Sequence, residues 1–272
     1  MQLLSECTLL YLYISAKYFN GYCASKNDAM GAGIRRIKTG IPGLDSMLTG
    51  GIPEVNQTVV AGGPGTGKTM LTLQFAYNNA KNGIPSTFIA LEEQPEMIER
   101  NFEQAFPEFS DFGELLNKGQ LIIDTANISS RVQPSANTGN YSFGTMVSDI
   151  EDAIRRNNSK CVVIDSVTVL DLLLKESGTY RKSLLALSNN MRRLGITTLF
   201  TMEVPYNTRG DLKFSDEFFI FDGILAMYEN IVKANQREMR IEVLKMRGSS
   251  HSLASAPYSI TDSGFVVGPV EG

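Results

Sequence analysis

From residue 34 onward the chain alternates short apolar runs with longer stretches in which apolar positions recur every three or four residues. The short runs at 57–61, 87–91, 121–124, 161–165 and 196–202 have the length and β-branched content of strands buried on both faces. Between them, 70–76, 95–105, 145–156 and 180–194 carry helical spacing. Pro95 stands at a first helical position, where its missing N–H is not needed. Leu184, Leu187, Met191 and Leu194 make one apolar stripe, which reads as core. Gly83 can stop the helix that starts near Met70. Strands alternating with helices imply right-handed crossovers and a mostly parallel sheet flanked by helices. Near the end the rhythm changes: 223–228, 239–246 and 258–260 follow one another without helices, predicting an antiparallel C-terminal extension of the sheet. The expectation is an α/β fold in one large domain over 31–272, preceded by an extension over 1–30.

That extension is apolar at Cys7-Thr8-Leu9-Leu10-Tyr11-Leu12-Tyr13-Ile14, too short to span a bilayer, and Glu6 stands where a secretory signal would be basic. Met30 could serve as an alternative start. At 272 residues the chain is long enough to bury a full core as a single domain. Twenty-five Lys and Arg against 29 Asp and Glu give a net charge of −4, which argues against a partner recognised mainly through its phosphate backbone. Cys7, Cys23 and Cys161 are odd in number and unrelated in spacing, so neither a disulfide framework nor a zinc site is suggested, and a reducing, cytoplasmic interior fits. Two segments lack regular patterning, 129–143 and 205–217; irregular stretches of that length are often functional.

The chemistry centres on Gly62-Gly63-Pro64-Gly65-Thr66-Gly67-Lys68-Thr69, which fits G-x-x-x-x-G-K-[ST] between a strand and a helix beginning near Met70. Glycines let successive backbone N–H groups turn toward an anion, and the positive end of the following helix adds its partial charge. In that setting Lys68 reaches the β- and γ-phosphates of ATP, and the Thr69 hydroxyl ligates Mg²⁺. The strand 161–165 ends in Asp165, which would hold the metal through water. Glu92 and Glu93 follow the strand 87–91, at the sheet edge where ligands gather, and one of them could orient the attacking water.

Taken together with Lys38-Thr39-Gly40-Ile41-Pro42-Gly43-Leu44-Asp45, Gly50-Gly51-Ile52-Pro53 and Lys245-Met246-Arg247-Gly248-Ser249-Ser250-His251, these motifs resemble a single-domain KaiC-like ATPase of the RecA superfamily. The resemblance runs from about Ile34 to about Gly268, with 259–264 resembling the family's closing hairpin. It implies a RecA-like P-loop core and a hexameric ring in which Lys245, Arg247 and His251 contact the nucleotide held by the neighbouring copy. A cation supplied across an interface can stabilise charge on the γ-phosphate. Lys245 and Arg247, two apart on a strand, would share a face. The chain departs from the family at Asn56, where glycine is usual; asparagine tolerates a left-handed backbone. Clock proteins carry an adjacent Ser-Thr pair in the stretch that corresponds to 209–222; here that stretch holds Ser215 alone, with Phe218 and Phe219 near where the pair would fall, so autokinase activity is not implied.

The resemblance thus implies a cytoplasmic regulatory or signalling ATPase of a type common in archaea. The competing reading is a RadA-like recombination or repair ATPase with the same core. Its DNA-binding loops should be basic, whereas 205–217 sets Arg209 and Lys213 beside Asp211, Asp216 and Glu217.

Overall fold

The computed structural model describes residues 34–126, 143–173, 179–205, 208–211, 216–232 and 236–270. The expected extension 1–30, nearly all of the irregular stretch 129–143, and Ser215 lie outside the described residues. The elements are β1 (Arg36–Ile37), α1 (Leu44–Met47), β2 (Ile52–Pro53), β3 (Gln57–Gly62), α2 (Lys68–Lys81), β4 (Ser86–Ala90), α3 (Pro95–Ala105), α4 (Phe112–Asn117), β5 (Leu121–Asp124), α5 (Phe143–Asn157), β6 (Cys161–Asp165), α6 (Val169–Leu173), α7 (Thr179–Arg193), β7 (Thr197–Glu203), β8 (Gly223–Val232), β9 (Gln236–Met246), β10 (Ala256–Thr261) and β11 (Gly264–Val267).

Among the described residues the main sheet runs β11-β10-β9-β8-β3-β7-β6-β4-β5. From β8 to β5 neighbours are parallel, and from β8 to β11 they are antiparallel. This is the mostly parallel architecture with an antiparallel C-terminal extension that the sequence pattern predicts, and the RecA-like core that the resemblance implies. Alternate strand residues feed two cores. Val60, Phe88 and Val163 pack with α2, α3 and α4, whereas Val59, Ile89, Val162 and Ile164 pack with α5, α6 and α7. Side chains two apart along a strand share a face, so both faces demand apolar residues and the strands read as continuous runs.

Helix α2 is longer than its apolar spacing indicates and ends in a Schellman turn. Ile84 N donates to Asn79 O at 2.9 Å and Gly83 N to Ala80 O at 3.0 Å, with Gly83 at φ 80°. Segment 205–217 is less irregular than expected: 3₁₀ turns cover Arg209–Asp211 and Asp216–Ile220. The left-handed residue before β3 is Val55 (φ 62°), not Asn56. Asn56 is buried, and its Oδ1 accepts from Thr58 Oγ1 at 2.7 Å, which fixes it by hydrogen bonding instead. Among the described residues no helix is long and apolar enough to cross a membrane.

Candidate functional site

The loop between β3 and α2 lies at the carboxyl edge of the parallel sheet, where strand ends leave room for ligands. Gly65 (φ 77°) and Gly67 (φ 83°) take the left-handed turns that wind it. Gly67 is the N-cap of α2 and offers no side-chain cap, so the first N–H groups of the helix, at Lys68, Thr69 and Met70, stand open to an anion. The loop is braced from inside: Thr66 Oγ1 donates to Gly63 O at 2.8 Å, and Lys68 Nζ donates to the same carbonyl at 3.0 Å. Pro64 and Gly65 form the exposed lip. Lys68 is only 8% exposed. Burial pushes its ammonium below the ordinary lysine range, opposed by the carboxylates of Glu203, Asp165 and Glu92.

Asp165 closes the other side. Thr69 Oγ1 donates to Asp165 Oδ2 at 2.8 Å, and Thr201 Oγ1 donates to Oδ1. Burial raises the Asp165 carboxyl above the usual range, while the two hydroxyls and Lys68 work to keep it ionised. A hydroxyl and a carboxylate held together at the foot of a phosphate cradle are the oxygen donors a hard cation such as Mg²⁺ takes, and the residues fit it. Leu91 N donates to Asp165 O at 2.6 Å, which draws the end of β4 against β6. Ser166 Oγ then donates to Glu92 Oε1 at 2.7 Å, fixing an otherwise exposed glutamate. Glu93 is exposed beside it and acts electrostatically on Asp165.

Four participants escape sequence reasoning. Thr201 and Glu203 belong to β7, which the sheet order inserts between β3 and β6; Glu203 pairs with Gly62 across the sheet. Ser166 follows Asp165 directly. Tyr258, from β10, donates its hydroxyl to Thr66 O at 2.6 Å across 192 positions of sequence. A polar residue ending an apolar strand is a legible signal for Glu203 once β7 is known to lie beside the loop.

Lys245, Arg247 and His251 lie elsewhere. Along β3 and β8, Thr58 pairs with Gly223 and Gly62 with Met227, and on the next strand Ile224 pairs with Lys245. Lys245 therefore lies level with Val59, three strand steps or about 10 Å from Gly62, while Arg247, whose N donates to Asp222 O as Asp222 N donates to Gln57 O, stands at the amino edge, five steps or about 16 Å along β3; His251 follows beyond the end of β9. Arg247 stands one residue past β9, in the turn that Gly248 (φ 72°) completes, and not on the strand. The two cations still meet one neighbourhood. Lys245 Nζ donates to Phe221 O at 2.5 Å, and Arg247 donates to Phe219 O at 3.2 Å and Asp222 Oδ1 at 3.3 Å. Burial and the nearby Arg247 lower the Lys245 ammonium. His251 Nδ1 lies 2.9 Å from Ser252 O, which puts its proton on Nδ1.

The pattern of the family described as "ATPase: KaiC" matches residues 37–272 of this chain. The chain belongs to the KaiC ATPase family. A UPF0273 protein of Thermotoga maritima is 35% identical over 249 residues, covering 88% of this chain and 98% of that protein. The circadian clock oscillator protein KaiC of Picosynechococcus is 32% identical over 247 residues, but the match takes in only 47% of it. A crystal structure of a KaiC-like protein from Pyrococcus horikoshii superposes with a TM-score of 0.73 at 31% identity, covering 87% of this chain and all of that one. The KaiC domain here is thus single where the clock protein is about twice as long, and the family's ATPase domain implies nucleotide binding.

Proposed function

We propose that this KaiC-family chain is a Mg²⁺-dependent ATPase that works as a head-to-tail ring, six copies by resemblance, and serves a regulatory or signalling role. The observation that carries the reading is the separation of its two basic groups. Lys68 sits in the glycine loop at one edge of the sheet, while Arg247 stands at the other edge and Lys245 lies two strands over, level with Val59, so that neither reaches that loop within one copy. A heterologous interface, repeated around a ring, brings the second group of each copy to the loop of the next.

In this reading the N–H groups of Gly63 and of residues 65–70, with Pro64 shaping the turn between them, and the Lys68 ammonium bind the phosphates. Thr69 and Asp165 hold the metal, which on binding neutralises charge shared by the β- and γ-phosphates. Glu92, oriented by Ser166, positions water in line with the γ-phosphorus, with Glu93 beside it. Arg247 and Lys245 meet the charge that develops on the transferred group, and His251 makes a nucleotide contact. The acidic character of the chain and the mixed charge of 205–217 support no nucleic-acid partner.

The test measures ATP turnover beside solution mass, with and without Mg-ATP. Assembly with turnover is expected. Lys68→Ala should abolish turnover and Arg247→Ala should reduce it with ATP binding retained. Mixing the two variants should restore activity, because each supplies what the other lacks. An Arg247→Ala variant with unchanged turnover, or no rescue on mixing, would overturn the shared site.

A further inference from the structure

The Arg247 guanidinium is held by a carboxylate to which the roles above give no part. Asp222 precedes β8, and its side chain is 15% exposed. Its Oδ2 accepts from Gln57 N at 3.2 Å and from Arg192 Nε at 3.2 Å and Nη2 at 2.9 Å; its Oδ1 accepts from Arg247 Nη1 at 3.3 Å. The main chain repeats the ties, with Asp222 N donating to Gln57 O and Arg247 N donating to Asp222 O, both at 2.8 Å. Arg192 comes from the last turn of α7, so one oxygen is claimed by a fork from a rigid helix. The other is left to steer Arg247.

An arginine on a surface turn samples many rotamers, and docking on a phosphate requires giving them up. Here the freedom is already reduced, because Asp222 and Phe219 O hold two of the guanidinium nitrogens while the side chain remains 54% exposed. Donors are left over for an acceptor arriving from outside. Gln57 is also the first residue of β3, the strand that leads into this copy's own phosphate loop. One carboxylate therefore joins the outward-facing cation to the strand that carries the nucleotide site.

We propose that Asp222 is a positioning residue for the in-trans reaction: it holds Arg247 at the amino edge in the pose that meets the neighbouring copy's γ-phosphate, without touching substrate itself. The proposal rests on the head-to-tail reading given above. A buried pair that serves only folding would look similar in one copy, and complementation separates the two.

Asp222→Asn keeps the shape and removes the charge. Turnover at saturating ATP should fall by about tenfold to a hundredfold, the scale set by misplacing a catalytic group by about an ångström, with ATP affinity by calorimetry unchanged. Mixed one to one with Lys68→Ala, it should recover about a quarter of the wild-type rate, since a quarter of randomly formed interfaces pair an intact loop with an intact cation edge. Mixed with Arg247→Ala it should recover nothing, because both damage the same edge. Wild-type turnover by Asp222→Asn, or its failure to be rescued by Lys68→Ala where Arg247→Ala is rescued, overturns the positioning role and leaves the shared site standing. Failure of both rescues removes the shared site and this proposal with it. Should Asp222→Asn not fold, Asp222→Glu goes through the same mixtures; it displaces the carboxylate by one methylene, and the same grouping with Arg247→Ala is required of it.

Discussion

Replacing Tyr258 by Phe removes one oxygen from a buried contact and leaves the ring, stacked on Phe265 at 4.5 Å between centroids, in place. What is lost is the hydroxyl that donates to Thr66 O at 2.6 Å. A peptide unit is planar, so a carbonyl pinned in one direction pins the following N–H in the opposite one. Tyr258 therefore orients the Gly67 N–H, one of the groups that would face a phosphate. The net worth of such a bond is about 0.5–1.5 kcal/mol, rising toward 3 when the acceptor is left buried without a partner. Thr66 is 3% exposed, which places the expected loss near the upper half of that range, at about 1–2 kcal/mol. For a domain of this size, the midpoint of thermal unfolding should drop by about 2–8 °C.

The same substitution carries a pH signature. Burial, reinforced by the charge of Glu229, raises the Tyr258 phenol above its ordinary value. The fold thus favours the neutral phenol, and its contribution is complete below the unfolded tyrosine pKa of about 10 and is lost as pH rises beyond it. The stability gap between wild type and Tyr258→Phe, measured by denaturant titration, should be constant from pH 6 to 9 and shrink above about pH 10. ATP affinity at neutral pH should weaken by roughly threefold to tenfold, if about 1 kcal/mol of the orienting bond is expressed in binding. A variant that melts with the wild type and binds ATP equally would refute the reasoning, since it would mean that the loop peptide holds its orientation unaided.

Gly43→Ala should destabilise the domain by roughly 2–5 kcal/mol, read as a lower denaturant midpoint, because left-handed backbone strain adds to overpacking. Gly43 has φ 82°, and a Cβ there would lie 2.1 Å from Val267 O. Cys161 is fully buried, and burial pushes its thiol up to about 12. It should resist a thiol reagent at pH 8 in the native protein, react on unfolding, and contribute to a loss of stability as pH rises between about 9 and about 12, where the unfolded thiol ionises and the folded one does not. Turnover per chain should rise with protein concentration and fall on dilution to the level of Arg247→Ala, a dependence that a steady-state assay across assembly concentrations reads directly.

The place of the glycine loop, the strand end at Asp165, the parallel core and the antiparallel tail were legible because each is written locally: a glycine pattern between strand and helix, an apolar run ending in a carboxylate, a change of rhythm after residue 222. What stayed hidden depends on which strands lie side by side. Nothing in the run 197–203 says that it enters the sheet between β3 and β6, yet that order brings Thr201 to Asp165 and Glu203 beside Gly62. The Tyr258 contact spans 192 positions, and the Asp222 cluster draws on β3, α7 and the end of β9. Long-range polar contacts of this kind have no period to betray them.

The same strand order also bears on why a nucleotide site would be divided between copies. A parallel sheet gathers loops at its carboxyl edge, and β9 returns antiparallel to β8, so its far end is delivered to the amino edge. A basic residue at the end of β9 is thereby kept from its own loop by the length of β3, about 16 Å, which no arginine side chain spans. Reaching it within one copy would require a different strand direction, not a different side chain. A charge placed there either serves folding alone or awaits another molecule. The exposed fork of Arg247, fixed on one side by Asp222 and open on the other, has the form expected of the second case.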